Sequence, residues 1–146
     1  DVETKKTTPL TQPGEFLRLV GWEKESNDVL LVNIAGSEMT GLQNEVTLNR
    51  LSIKSGSVRK VASLKDTYTY NIQLSPDGKN IAFVAHREDK DNLWLISANG
   101  GDEKKLTTNN DSRLYFSSMA WSPDSNSIYY GKQSRYSLLS MLTNFK

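Results

Sequence analysis

The chain has 146 residues, with 18 Lys and Arg against 17 Asp and Glu, a single His and no Cys. Balanced, interspersed charge gives no general attraction to nucleic acid or to an anionic membrane, and the absence of Cys excludes disulfides and thiolate chemistry. The longest apolar runs, such as Val29-Leu30-Leu31-Val32, are strand-sized and far short of the ~18 residues of a spanning helix, so no membrane insertion is expected. A chain that starts at Asp1 without Met or a leader reads as a piece of a longer polypeptide.

In chain order, the segment 1–11 comes first, where Lys5-Lys6-Thr7-Thr8-Pro9-Leu10-Thr11 has the look of an outer strand with no sheet before it. A first unit, 12–64, predicts strands at Leu17–Trp22, Val29–Asn33, Thr47–Ile53 and Val58–Leu64, with a long insertion at Ala35–Glu45. A second, 65–107, predicts a connection at Lys65–Thr69 and strands at Tyr70–Leu74, Asn80–Ala85, Asn92–Ser97 and Glu103–Thr107. Here Pro76 fixes φ, Asp77 suits the third turn position, and Gly78 and Asn99-Gly100-Gly101 tolerate positive φ. A third unit, 108–146, predicts Phe116–Trp121, Ser127–Tyr130 and Tyr136–Leu142 and lacks a fourth strand.

The frame Leu74-Ser75-Pro76-Asp77-Gly78-Lys79-Asn80-Ile81 returns as Trp121-Ser122-Pro123-Asp124-Ser125-Asn126-Ser127-Ile128, and more weakly from Trp22 to Val29. The anchors Trp22, Leu74 and Trp121 lie 52 and 47 residues apart, close to the period of about 40–50 residues of propeller blades. The expected fold is therefore all-β, a β-propeller segment of about three four-stranded antiparallel blades. Three blades fall below the usual range of about four to eight in a closed ring. Either the chain is part of a larger propeller, or two copies combine as a homodimer, each N-terminal strand completing its partner's last blade in a six-bladed ring. Alternation at Ile81, Phe83 and at Leu93, Leu95 predicts one buried face per strand, and Trp22, Trp94 and Trp121 are expected in the core.

Catalytic chemistry is sparse. There is no Gly-x-Ser-x-Gly elbow, and any acid/base or metal role must pass through His86 or rest on carboxylates alone. Asp89 and Asp91 lack the rest of a calcium loop, so no cofactor or metal is expected and the chain reads as non-enzymatic. Propeller topology opens the strand two-to-three loops and the blade-to-blade connections on one face. That face is expected to carry His86, Arg87, Asp89, Asp91, Asp111, Arg113 and Arg135, with Tyr68, Tyr115 and Tyr136 as rigid anchors. It suits a protein or peptide partner; the competing explanation is that loops are polar because they are wet.

At Ser75-Pro76-Asp77-Gly78-Lys79-Asn80-Ile81-Ala82-Phe83, Leu93-Trp94-Leu95-Ile96, Asn99-Gly100-Gly101 and Lys105-Leu106-Thr107 the chain resembles the β-propeller repeat of TolB-like proteins. The second unit matches nearly completely, the third has Ser125 in place of Gly, and the first has lost Ser-Pro-Asp-Gly. The resemblance implies a protein-binding platform, often periplasmic or otherwise extracytoplasmic, or the gating propeller of a prolyl-oligopeptidase-like serine peptidase. Its motif residues shape turns and cores, so none carries over as catalytic. A third possibility from the open sheet faces is a purely structural arc that self-associates.

Overall fold

A computed structural model describes residues 3, 5, 7–11, 17–33, 41–134 and 137–144. The described residues form ten strands and no helix: β1 (Leu17–Trp22), β2 (Asp28–Asn33), β3 (Leu42–Ser52), β4 (Val58–Leu74), β5 (Asn80–Arg87), β6 (Lys90–Ser97), β7 (Lys104–Lys105), β8 (Tyr115–Trp121), β9 (Ser127–Gln133) and β10 (Ser137–Thr143). All pairings are antiparallel between sequence neighbours. β1 to β7 form one seven-stranded sheet and β10-β9-β8 a second.

The seven-stranded sheet is two blades sharing one strand. The first part of β4 pairs with β3, from Leu51↔Val58 to Leu42↔Tyr68, and its last part pairs with β5 from Ile72↔Phe83 to Leu74↔Ile81. Between Thr67↔Ala85 and Ile72↔Phe83, β4 carries more residues than β5 and bulges, which increases local twist and swings the chain from the edge of blade one to the start of blade two. The connection expected at Lys65–Thr69 is therefore strand. Thr67-Tyr68-Thr69-Tyr70 is β-branched and aromatic, a composition that favours extended backbone, and both threonines are buried.

Other boundaries move for related reasons. β3 begins at Leu42, so the last part of the expected Ala35–Glu45 insertion is strand, and 34–40 lies outside the described residues. β5 and β6 extend to Arg87 and from Lys90, leaving Glu88 and Asp89 as a two-residue turn with φ of 54° and 59°. Residues 7–11 of the expected orphan strand are exposed and belong to no strand; 1, 2, 4 and 6 lie outside the described residues.

The core lies between blades. Leu30, Val32, Val46, Leu48 and Leu64 of blade one meet Ile72, Ile81, Phe83, Ala85, Ile96 and Ala98 of blade two. Ala82, Val84, Leu93 and Leu95 from blade two's opposite face meet Phe116, Met119, Ile128 and Tyr130 of blade three. One buried face per strand is thus overturned in blade two: Ile81 to Ala85 are all 0% exposed, because a middle blade is covered on both sides. Trp22 also departs from expectation at 58% exposure. Its counterparts Leu74 and Trp121 each pack against the preceding blade, and among the described residues nothing occupies that place before blade one.

The repeated turn is one hydrogen-bonded device. Ser75 Oγ donates to Asp77 Oδ1 (2.5 Å) and accepts from Asn80 N (3.0 Å), while Asp77 Oδ1 accepts from Lys79 N (3.2 Å). Ser122 Oγ repeats this with Asp124 Oδ1 (2.6 Å) and Ser127 N (2.9 Å). Ser122's hydroxyl is the largest cause holding the Asp124 carboxyl below its ordinary pKa. Where Gly78 has φ of 74°, Ser125 holds 60°, a conformation that disfavours side chains other than Gly. Its Oγ accepts from Asp77 N of the neighbouring blade at 2.9 Å, so the departure from Gly ties two turns together. Ser125→Ala keeps the strained φ and removes that acceptor. It is expected to lower unfolding free energy by about 1–2 kcal/mol in urea denaturation, and an unchanged midpoint would show the tie to be inert.

Candidate functional site

The connections expected to form one face are organised around a buried carboxylate. Asp91, at the start of β6, is 2% exposed. Its Oδ1 accepts from Tyr68 OH (3.2 Å) and lies 2.7 Å from His86 Nδ1, while its Oδ2 accepts from Phe116 N (3.1 Å). One side chain therefore joins β4, β5 and β8, and ties blade two to blade three. A carboxylate facing Nδ1 selects the tautomer with the proton there, which leaves Nε2 turned toward Asp89, 3.8 Å away. Burial first, and then the Asp91 charge, push the Tyr68 hydroxyl up to about 12; the same causes raise Tyr70. Both rings stay neutral donors at physiological pH.

A second network fixes the chain between blades two and three. Asn92 Oδ1 accepts from Thr107 Oγ1 (3.1 Å) and Asn109 N (2.8 Å), and Thr107 Oγ1 accepts from Leu93 N (2.9 Å). Asn109 Nδ2 donates to Leu114 O at 3.1 Å and Asn109 Oδ1 accepts from Asp111 N at 3.2 Å. Buried polar groups stay only when satisfied, and this set holds the connection that displays Asp111 and Arg113. There Arg113 donates through Nε and Nη2 to the two Asp111 oxygens, both at 2.9 Å. This pairing depresses the Asp111 carboxyl to about 2.

Two tyrosines stand at the open end of this frame. Asn71 Nδ2 donates to Phe116 O at 3.1 Å, which brings the starts of the two blades' first strands alongside one another. The preceding residues, Tyr70 and Tyr115, are 43% and 49% exposed. Tyr70 lies 5.5 Å from Tyr68, centroid to centroid, with the rings tilted by 42°. Arg18 Nη2 donates to Tyr70 O at 2.8 Å, so β1 of blade one joins the same rim.

The residues expected on this face divide into groups. Tyr115, Asp89, Asp111 and Arg113 are displayed, with Asp89 85% exposed at its side chain. His86 is partly covered, and Asp91 is a buried tie between blades rather than a loop residue. Arg87 is on strand β5 and faces elsewhere. Its guanidinium donates to Glu103 Oε2 (2.6 Å) and Lys65 O (3.1 Å) and lies 4.2 Å from the Trp94 ring centroid. It lines a cleft of about 570 Å³ with Val61, Ser63 and Lys65 between blades one and two. Arg135 and Tyr136 lie outside the described residues. Sequence reasoning missed the Asn92, Thr107 and Asn109 network and read Tyr70 only as a strand residue that packs between blades, whereas it is 43% exposed. Among the described residues, no three His, Asp or Glu side chains gather as metal ligands.

Known proteins place the fold. TolB from Acinetobacter baumannii superposes with a TM-score of 0.62 at 14% identity, over 92% of this chain and 33% of its own. The acylaminoacyl peptidase of Pyrococcus horikoshii superposes with a TM-score of 0.51 at 23% identity, over 80% of this chain and 17% of its own. A protein named "Uncharacterized peptidase YuxL" from Bacillus subtilis is 44% identical over 55 residues, 37% of this chain and 8% of its own length. The chain thus spans a third or less of each of these proteins. No protein-family profile matches it. By fold, the chain is a partial β-propeller similar to that of TolB.

Two measurements check the site. Asp91→Ala leaves Phe116 N and Tyr68 OH without their acceptor in a buried place. It is expected to cost about 3 kcal/mol or more in urea denaturation, with Asp91→Asn falling between it and the parent; an Ala variant within a few tenths of the parent would refute the tie. The Asp111 carboxyl should titrate near 2 by carbon NMR. Because its pKa is lowered on folding, the clasp's contribution is complete above its ordinary 3.8 and disappears as pH falls through about 2. Titration at the ordinary value would show that no clasp persists.

Proposed function

We propose that this segment is a non-enzymatic interaction module that takes a protein or peptide partner on the face bearing Tyr70 and Tyr115. The observation that carries this reading is that exposed aromatic rings stand on a frame locked by buried hydrogen bonds at Asp91, Asn71 and Asn92. Rigid amphipathic rings lose little entropy on binding and are the residue type most often found at the energetic centre of an interface. Asp89, Asp111 and Arg113 add displayed charge of both signs on the neighbouring connections. The His86–Asp91 couple serves as an anchor in this reading, with Asp91 committed to holding two blades together. A periplasmic or otherwise extracytoplasmic setting follows from the family resemblance and belongs to the same proposal.

The stretch that is 44% identical to a peptidase of Bacillus subtilis favours a second reading. There the segment is part of a propeller that gates access to a catalytic domain carried elsewhere in the polypeptide. The complete reading frame separates the two, since a following Gly-x-Ser-x-Gly domain favours gating and a frame without one favours the interaction module.

The first reading is tested with photo-crosslinking residues at positions 70, 115 and 55 in the native host, position 55 being exposed in the turn between β3 and β4. Crosslinks to one protein from positions 70 and 115, and none from 55, are expected. Changing both Tyr70 and Tyr115 to Ser should then weaken that partner's binding about thirtyfold or more with the thermal midpoint preserved. Crosslinking confined to position 55, or a double variant that binds as tightly as the parent, would overturn the assignment.

A further inference from the structure

Blade one has its full complement of strands in β1 to β4, and the first part of β4 pairs with β3 on one side and with no strand on the other among the described residues. The hairpin decides which backbone groups face that open side. Ser52 N donates to Ser57 O at 2.9 Å, and in an antiparallel pair bonded and non-bonded positions alternate. Arg50↔Arg59 is therefore bonded, as are Leu48↔Ala62 and Val46↔Leu64 beyond the bulge at Val61. Ser63 and Lys65 then turn their N–H and C=O groups away from β3. Two contacts agree. Val61 O abuts Gly100, where an added Cβ would come within 2.6 Å of it, and Lys65 O accepts from Arg87 Nη2 at 3.1 Å.

Between those two carbonyls the edge lines the cleft of about 570 Å³ that separates it from Gly101, Asp102 and Glu103 of blade two. Gly100 closes one end and Arg87 the other, about 13 Å apart along the strand. Ser63 stands midway. Val61, Ala62 and Ile96 give the walls an apolar strip. Arg87 and Glu103 neutralise each other at 2.6 Å, which leaves Lys65 facing Asp66 and Asp102. Earlier on the same edge the exposed Arg59 and Lys60 supply the charge that commonly guards an edge strand from unplanned pairing.

We propose that this cleft takes a short extended segment of another protein, added as a fifth strand to blade one through the N–H and C=O of Ser63. A peptide main chain offers the acceptor and the donor that one edge residue requires. Alternate side chains of the added strand lie on the side of Ala62 and meet the apolar strip, so the segment carries apolar residues two apart. The surplus carboxylate at the rim favours a singly basic segment over an acidic one. Both walls belong to internal strands of blades one and two, and the site stands whether or not the face bearing Tyr70 and Tyr115 binds a partner.

The probe is a pool of acetylated, amidated pentapeptides with Thr at the first and third positions, Val or Ile at the second and fourth, and Lys at the fifth. In nitrogen–proton NMR of the 146-residue chain the pool should shift the amides of Ser63 and Lys65 and slow hydrogen exchange at Ser63, with the Tyr115 amide unmoved. The same pool N-methylated at its central residue loses the bond to Ser63 O and keeps every side chain. It should bind about tenfold more weakly or worse. Ser63→Pro, which an edge strand tolerates where the N–H faces away from the sheet, should keep the circular dichroism spectrum and abolish the shifts. Amides of Ser63 and Lys65 that stay in place at millimolar peptide, or an N-methylated pool that binds as tightly as the first, would overturn the proposal. Shifts confined to Tyr70 and Tyr115 would overturn it and leave the reading of that face intact.

Discussion

Everything in this fold depends on blade two being covered on both sides. Five consecutive residues, Ile81 to Ala85, have no exposed surface, and alternation sends Ile81, Phe83 and Ala85 toward blade one and Ala82 and Val84 toward blade three. Burying one such side chain contributes about 1.5–3 kcal/mol, so the centre of the arc is stable only while both neighbours are docked. No blade has a core of its own. Each supplies half of two cores, which is the nearest-neighbour logic of stacked repeats.

That logic assigns the polar ties their place. Asp91, Asn71 and Gln73 all reach from blade two to blade three, the last through Gln73 Nε2 donating to Met119 O at 2.8 Å. Between blades one and two, Arg50 bonds Ala98 O at 2.9 Å and Asn99 Oδ1 at 3.1 Å while paired with Glu23. Arg50 stands where blade two has Leu95, as the pairings Leu30↔Arg50 and Ala82↔Leu95 show. Apolar contact sets how strongly blades adhere; these directional bonds fix their register, since a shift between blades would strand buried donors. The same frame gives the displayed tyrosines a rigid base.

Much of this was legible in the sequence where local chemistry and repeat agreed. Ser-Pro-Asp-Gly specifies a turn through its own side chains, and the structure shows those bonds twice. The strands failed to be legible where charge masked pattern. Lys65-Asp66 and the run from His86 to Asp91 look like wet loops, yet Thr67 to Tyr70 and both ends of the β5–β6 hairpin are strand because cross-strand pairing extends them. Asp91 reads from sequence as a displayed loop residue and is buried on β6, as nothing in a single Asp announces that three elements will converge on it. Trp22 was assigned to a core by analogy with its repeats, and it is exposed because no blade precedes it among the described residues. Ser125, which looked like a flaw in the motif, is a tie between blades.

Native-state hydrogen exchange tests the central claim most directly. If two-sided covering of blade two holds the arc together, the paired amides of β5 and β6 should exchange slowest of all, through global unfolding alone, with β1 and β10 opening first. Amides of β5 that exchange as fast as those of β1 would contradict the account, because they would mean that blade two opens without the loss of its neighbours.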